Sequence, residues 1–229
     1  AGVDVSMVSG LYMQHLPGLV ASGEVSMARL DEAVRRVLHV KAALGLFDDP
    51  YRGTDPVREK ALVGSSDHIA LSREAGRKSV VLLKNQGGLL PLKKSQKIAL
   101  IGPFADDVDN VWGPWTIWGD PARRISLEAG FRAAMSDPRN LTIARGSGVE
   151  TPLNGGIEQA VAAARDAEVI VLAIGESTNM SGEAQSRTEI VVPAPQMALV
   201  DAMAALNKPM VVLLRSGRAL ALEGNVKNA

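Results

Sequence analysis

Residues 175–190 read Gly-Glu-Ser-Thr-Asn-Met-Ser-Gly-Glu-Ala-Gln-Ser-Arg-Thr-Glu-Ile and directly follow the apolar run Val169–Ile174. They carry three carboxylates, Glu176, Glu183 and Glu189, and one cation, Arg187. A carboxylic acid on such a loop can donate a proton to a leaving group if its pKa is raised. A neighbouring guanidinium has the opposite effect. Arg187 is therefore expected to orient the loop, or to pair with Glu189, rather than to touch the working acid. On spacing alone the pattern is that of an ordinary solvated loop. A second cluster, Trp112-Gly113-Pro114-Trp115-Thr116-Ile117-Trp118-Gly119-Asp120, gathers all three tryptophans of a chain that is only 3% aromatic. An indole beside polar groups suits the C–H face of a sugar ring. The competing reading is that these side chains plug a gap between domains. It stands level for Trp112 and Trp115 and is weaker for Trp118, which is flanked by Gly119 and Asp120.

Other chemistries find no support. The chain has no cysteine, which removes disulfides and thiolate metal sites. His15, His39 and His68 lack metal-ligand spacing. Gly87-Gly88 reads as a turn and Lys93-Lys94 as a solvent-facing pair; neither a P-loop nor a dinucleotide fingerprint is present. There is no Gly-x-Ser-x-Gly elbow. Formal net charge is zero over 229 residues, so no nucleic-acid partner is expected. The longest apolar run is too short to span a bilayer, and no membrane partner is expected.

The elements that must position these residues fall into two zones. The first reads as helices. One is expected over Ser9–Ala21. Another starts at an N-cap at Ser26 and carries Leu30, Val34, Val37, Leu38 and Leu44 at helical spacing, with Gly45 closing it. Turn formers from Asp48 to Pro56 mark a linker, set at residues 48–65. The second zone alternates helices (His68–Lys78, Ser126–Met135, Ile157–Asp166, Gln196–Leu206) with apolar runs (Val80–Leu83, Ile98–Ile101, Leu141–Ala144, Val169–Ile174, Met210–Leu214). Continuous apolar strands between helices predict an α/β fold with a mainly parallel sheet buried on both faces. Functional groups in such sheets lie past the carboxyl ends of strands, here after Ile101, Ile174 and Leu214.

Several stretches then become recognisable together. Ala1-Gly2-Val3-Asp4-Val5-Ser6-Met7 opens the chain. Arg35-Arg36-Val37-Leu38-His39-Val40-Lys41 is followed by Gly45-Leu46-Phe47-Asp48-Asp49-Pro50-Tyr51. Ser79-Val80-Val81-Leu82-Leu83-Lys84-Asn85 is followed by Leu89-Leu90-Pro91-Leu92 and Ile101-Gly102-Pro103. In this order they resemble family 3 glycoside hydrolases over essentially the whole chain, and in particular bacterial periplasmic β-glucosidases.

The resemblance implies a doubly wound (α/β)6-type sandwich at residues 66–229, incomplete at its C-terminus. It implies that residues 1–47 are the last helices of a TIM-like barrel. It also implies a retaining mechanism in which an aspartate is the nucleophile and a glutamate the acid/base. Glu183-Ala184-Gln185-Ser186-Arg187-Thr188-Glu189-Ile190-Val191-Val192-Pro193 matches the family's Glu-x-x-x-Arg-x-x-Ile-x-x-Pro pattern. This singles out Glu183 as acid/base, with Glu176 in reserve. The Ser-Asp-aromatic nucleophile motif is absent, and Asp4 is not a substitute, so the missing barrel segment, on the same or another chain, is expected to supply the nucleophile. Trp118 and Trp115, and in the first zone Ser6 and Met7, are the implied substrate contacts; Lys84 and Asn85 read as structural. The implied substrate is an oligosaccharide or β-glucoside cleaved at its non-reducing end, with no metal or cofactor. A periplasmic or secreted location and a homodimer are compatible with the resemblance. The rival expectations are a non-catalytic carbohydrate-binding or interaction module, phosphorolysis, and action on another β-glycoside such as a β-xyloside.

Overall fold

A computed structural model describes residues 2–113 and 115–229. The chain divides into two compact units, Ala1–Val81 and Leu82–Ala229.

The first unit holds α1 (Leu11–Ala21), α2 (Met27–Ala43), α3 (Pro56–Leu62) and α4 (Ser66–Ser79). Local chemistry sets the ends of α2. The Ser26 hydroxyl accepts from the Arg29 N–H at 3.3 Å. At the other end Gly45 takes φ +69°. The Gly45 N–H donates to the Ala42 carbonyl and the Leu46 N–H to that of Lys41, the paired bonds of a Schellman cap. The 48–65 segment is not all loop. Asp55 caps α3 by accepting from the Arg58 N–H, and Pro56 occupies the first helical position. The Asp-Pro pair that reads as a turn signal is equally a helix start. Helix α4 falls in this unit. Asp4 forms a two-pronged pair with Arg36, both contacts at 2.7 Å, which holds its carboxyl below the usual range.

The second unit is a parallel sheet of β1 (Ile98–Ile101), β2 (Leu141–Ala144), β3 (Val169–Gly175) and β4 (Met210–Arg215), in the order β2-β1-β3-β4. Ile98 is in register with Leu141 on one side and with Val169 on the other. Helices α5 (Leu127–Ala134), α6 (Gly156–Ala164), α7 (Ala194–Ala204) and the short α8 (Gly224–Asn228) complete it. Side chains alternate between the two faces, as the strand repeat of two requires. Ala99, Ile101, Ile170, Leu172 and Ile174 pack with Ala160 and Ala164 of α6 and with Leu199, Val200 and Met203 of α7. Ile98, Leu100, Val169, Val171 and Ala173 pack with Leu141, Phe104, Ala105 and Phe131, the last from α5. The sheet is thus buried on both faces, as the unbroken apolar strands require.

One apolar run behaves otherwise. Val80–Leu83 forms no strand, and its four side chains are 65–78% exposed. An apolar run becomes a strand only when a neighbouring edge pairs with it, and no described strand does so.

The topology places the site. From β1 the chain crosses to β2 on one side. From β2 it crosses back past β1 to β3 on the other. The carboxyl ends of β1 and β3 therefore flank a switch point, where doubly wound sheets leave a crevice for ligands. The tryptophan segment leaves β1 and the three-glutamate segment leaves β3.

Candidate functional site

Of the loops that rise from the carboxyl ends of the sheet, three carry the site: residues 102–125 after β1, 176–190 after β3 and 216–223 after β4. The β3 loop starts at Gly175, whose φ is +131°; a Cβ there would lie 1.9 Å from the Arg215 carbonyl oxygen of β4. Only glycine permits that approach. On the other side of Gly175, the side chain of Gln196 from α7 is fully buried. Its Oε1 accepts from the Gly175 N–H at 2.8 Å. Its Nε2 donates to the carbonyls of Gly175 at 2.8 Å and Val149 at 2.7 Å.

Glu176 turns inward, with its residue only 1% exposed. Arg187 donates to its Oε1 at 2.7 Å. Ser216 and Arg218, from the β4 loop, donate to its Oε2 at 2.9 and 3.3 Å. Arg218 also donates to the Met180 carbonyl. Arg187 therefore pairs with Glu176, not with Glu189.

Glu183 is exposed. It sits in a turn closed by the Gln185 N–H donating to the Gly182 carbonyl at 3.2 Å. The residue after it, Ala184, has φ +60°, as the third residue of a type II turn requires. Among the described residues no cation pairs with its carboxylate, since Arg187 and Arg218 are both committed to Glu176.

The β1 loop is fastened to the β3 loop. Asp107 accepts from the backbone N–H and side-chain Nδ2 of Asn110, and Arg215 approaches it at 3.5 Å. Asn110 Oδ1 in turn accepts from the Thr178 N–H at 2.9 Å, and the Thr178 hydroxyl donates to the Trp112 carbonyl at 3.0 Å. Asp106 and Asp109 pair with Arg145 and Arg124 at 2.8 and 2.9 Å.

The tryptophans divide. Trp112 is half-buried under the Arg124 guanidinium, 4.1 Å from its ring centroid, and a Cβ on Gly119 would fall 2.4 Å from its ring. It packs the loop internally. Trp115 and Trp118 stand 69% and 88% exposed, with Ile117 between them. They form an uncovered aromatic surface on the loop tied to the one carrying Glu183.

Ser6 and Met7 belong to the first unit. The Ser6 hydroxyl hydrogen-bonds that of Ser9, and Met7 is 88% exposed. Lys84 donates to the carbonyls of Lys227 and Asn228, and Asn85 brackets the backbone of Leu90, so both are structural. No cluster of three His, Cys, Asp or Glu suited to a metal occurs among the described residues, and none of their helices is long and apolar enough to cross a membrane. Sequence reasoning missed Gln196, Ser216, Arg218, Asn110 and Thr178. Ser216 and Arg218 carried a usable signal, their place just past a strand's carboxyl end. Gln196 carried none.

Burial alone would raise the pKa of Glu176. The hydrogen bonds from Arg187 and Ser216 and the charge of Arg218 outweigh it and hold the carboxyl below its ordinary value of 4.5. A carboxylate whose pKa is lower folded than unfolded adds stability above the unfolded value and loses it as pH falls through the folded one. Unfolding midpoints measured below pH 4.5 are therefore expected to drop more steeply for the wild type than for Glu176→Gln. Parallel curves would show that Glu176 carries no such linkage.

The sequence profile of the glycosyl hydrolase family 3 C-terminal domain matches residues 80–229. The chain belongs to glycoside hydrolase family 3. It is 42% identical to the periplasmic β-glucosidase of Salmonella typhimurium, over 97% of this chain and 32% of that protein. It is 34% identical to the probable β-D-xylosidase 6 of Arabidopsis thaliana, over 95% of this chain and 27% of that protein. A crystal structure of the Listeria innocua β-glucosidase in complex with isofagomine superposes with a TM-score of 0.88 at 36% identity, covering 99% of this chain and 31% of that one. This family 3 chain thus spans about a third or less of the length of the relatives it matches.

Proposed function

We propose that the chain supplies the acid/base half of a retaining, exo-acting β-glucosidase. Glu183 first protonates the glycosidic oxygen as the bond to the anomeric carbon breaks. Its carboxylate then takes a proton from the water that displaces the enzyme from the glycosyl intermediate. The nucleophilic aspartate comes from a barrel segment outside these residues. The observation that carries the reading is the contrast between two glutamates on one loop. Glu176 is buried and held ionised by two arginines and a serine, whereas Glu183 stands exposed at the corner of a turn, with no cation paired to it among the described residues. The exposed Trp115 and Trp118 supply a stacking surface for the leaving sugar. The β-glucosidases among the relatives favour glucose as the glycone, and the Salmonella relative favours a periplasmic location. The xylosidases among them make a β-xyloside the alternative substrate.

The test uses a polypeptide that joins these residues to a family 3 barrel. Aryl β-glucoside is expected to be cleaved with a higher kcat/KM than aryl β-xyloside, with the β-anomer of the sugar appearing first by NMR. The 229 residues alone are expected to show no turnover. Turnover by them alone, or first release of the α-anomer, overturns the proposal; a preference for xyloside replaces only the sugar.

A further inference from the structure

We infer that Glu176 is a positioning residue for Glu183, holding both legs of the turn that presents it. The inference rests on the reading of Glu183 as acid/base. Glu183 lies between two anchored points of the loop. On its N-terminal side, the Met180 carbonyl is held by Arg218. On its C-terminal side is Arg187. Both guanidiniums converge on the Glu176 carboxylate, one on each oxygen. Ser216 completes the node: its hydroxyl donates to Glu176 while accepting from the Arg218 N–H at 3.1 Å. The node is rooted in the sheet, because Glu176 follows Gly175 at the end of β3 and its own N–H donates to the Arg215 carbonyl of β4 at 2.9 Å.

Nothing else described grips the turn itself. Residues 182–186 are exposed, and their one backbone hydrogen bond is internal to the turn. One buried charge thus takes part in holding both flanks of the turn that carries the Glu183 carboxyl. Loss of that charge leaves two guanidiniums, only 18% and 24% exposed, without a counter-ion. They must then turn toward water and draw Met180 and residue 187 with them.

Misplacing a reacting group by about 1 Å costs roughly 10²-fold in rate. The experiment compares Glu176→Gln, Arg187→Gln and Glu183→Ala in the barrel-containing polypeptide, using β-glucosides with poor and with activated leaving groups, with and without azide. Glu176→Gln is expected to lose about 10–100-fold in kcat/KM on the poor leaving group and to change little in kcat/KM on the activated one. Azide is not expected to restore it, since Glu183 still occupies its place. Arg187→Gln is expected to lose less, because Arg218 still holds Met180. An equal loss of kcat/KM on all substrates means a merely structural role and overturns the inference. Strong azide rescue of Glu176→Gln, with none for Glu183→Ala, makes Glu176 the acid/base itself, and the reading of Glu183 fails as well. A leaving-group effect in Glu183→Ala with none in Glu176→Gln removes the inference alone.

Discussion

Glu183→Ala is expected to slow hydrolysis of a β-glucoside with a poor leaving group by about 10²–10⁴-fold, the ordinary worth of a positioned general acid. The size follows from the bond being broken. A poor leaving group departs as an alkoxide unless a proton arrives with bond cleavage, whereas a strongly activated phenolate departs unaided. With the activated substrate the glycosyl intermediate still forms, and the second step becomes slow for want of a base to activate water. Azide, which needs no base, is expected to attack that intermediate and yield the β-glycosyl azide. The substitution is made at an exposed side chain without an ion-pair partner among the described residues, so unfolding free energy is expected to move by no more than about 0.5 kcal/mol. A uniform loss of kcat/KM on all substrates, or no azide product, rules out this role for Glu183.

The second large effect is on stability. Gln196→Met keeps the volume and removes every polar atom of a fully buried side chain. Three bonds are lost at once, to the Gly175 N–H and to the carbonyls of Gly175 and Val149. A buried backbone group left unpaired costs about 1–3 kcal/mol, so a loss of about 3 kcal/mol or more is expected. All three tryptophans lie in the second unit, so their fluorescence during denaturant titration follows the unit that Gln196 braces. A loss under about 1 kcal/mol would mean that other groups satisfy the end of β3 and that Gln196 is not its brace.

The frame was more legible than the chemistry. Strands β1 to β4 stand out because both of their faces are covered, so their sequences are unbroken apolar runs with helical repeats between them. Val80–Leu83 shows the limit of that signal, since composition announces a strand whereas pairing depends on a neighbour. Helix α3 was hidden because Asp55-Pro56 signals a turn and a helix start alike. The Glu183 loop could be located from strand ends, yet its acid/base candidate came only through resemblance to family 3. The partner of Arg187 was not readable. Glu189 is two residues away along the chain and Glu176 is eleven, but β4 brings Ser216 and Arg218 beside Glu176 and builds a closed site around it. Such a choice is made by the sheet, not by local spacing. Gln196 was invisible for a related reason: in sequence it is one polar residue in the first turn of an apolar helix, and its partners are backbone groups.

The strand order also bears on when the loop carrying Glu183 takes its shape during folding. Every neighbouring pair in the sheet is parallel and is closed by a crossover rather than a hairpin. The central strand β1 meets β2 only after an intervening helix, and meets β3 after a further one. Contacts so remote along the chain form late, because loop closure must be met before they give any return. The hydrogen bonds from Thr178 to Asn110 and Trp112 span that last gap between β1 and β3. A nascent chain that has paired only β1 with β2 has no β4 carbonyl for Glu176 and no Ser216 or Arg218 beside it. The loop carrying Glu183 then has no fixed shape. The loop takes its shape at the final crossover, so partly folded forms of this unit carry apolar strands but no ordered Glu183 turn.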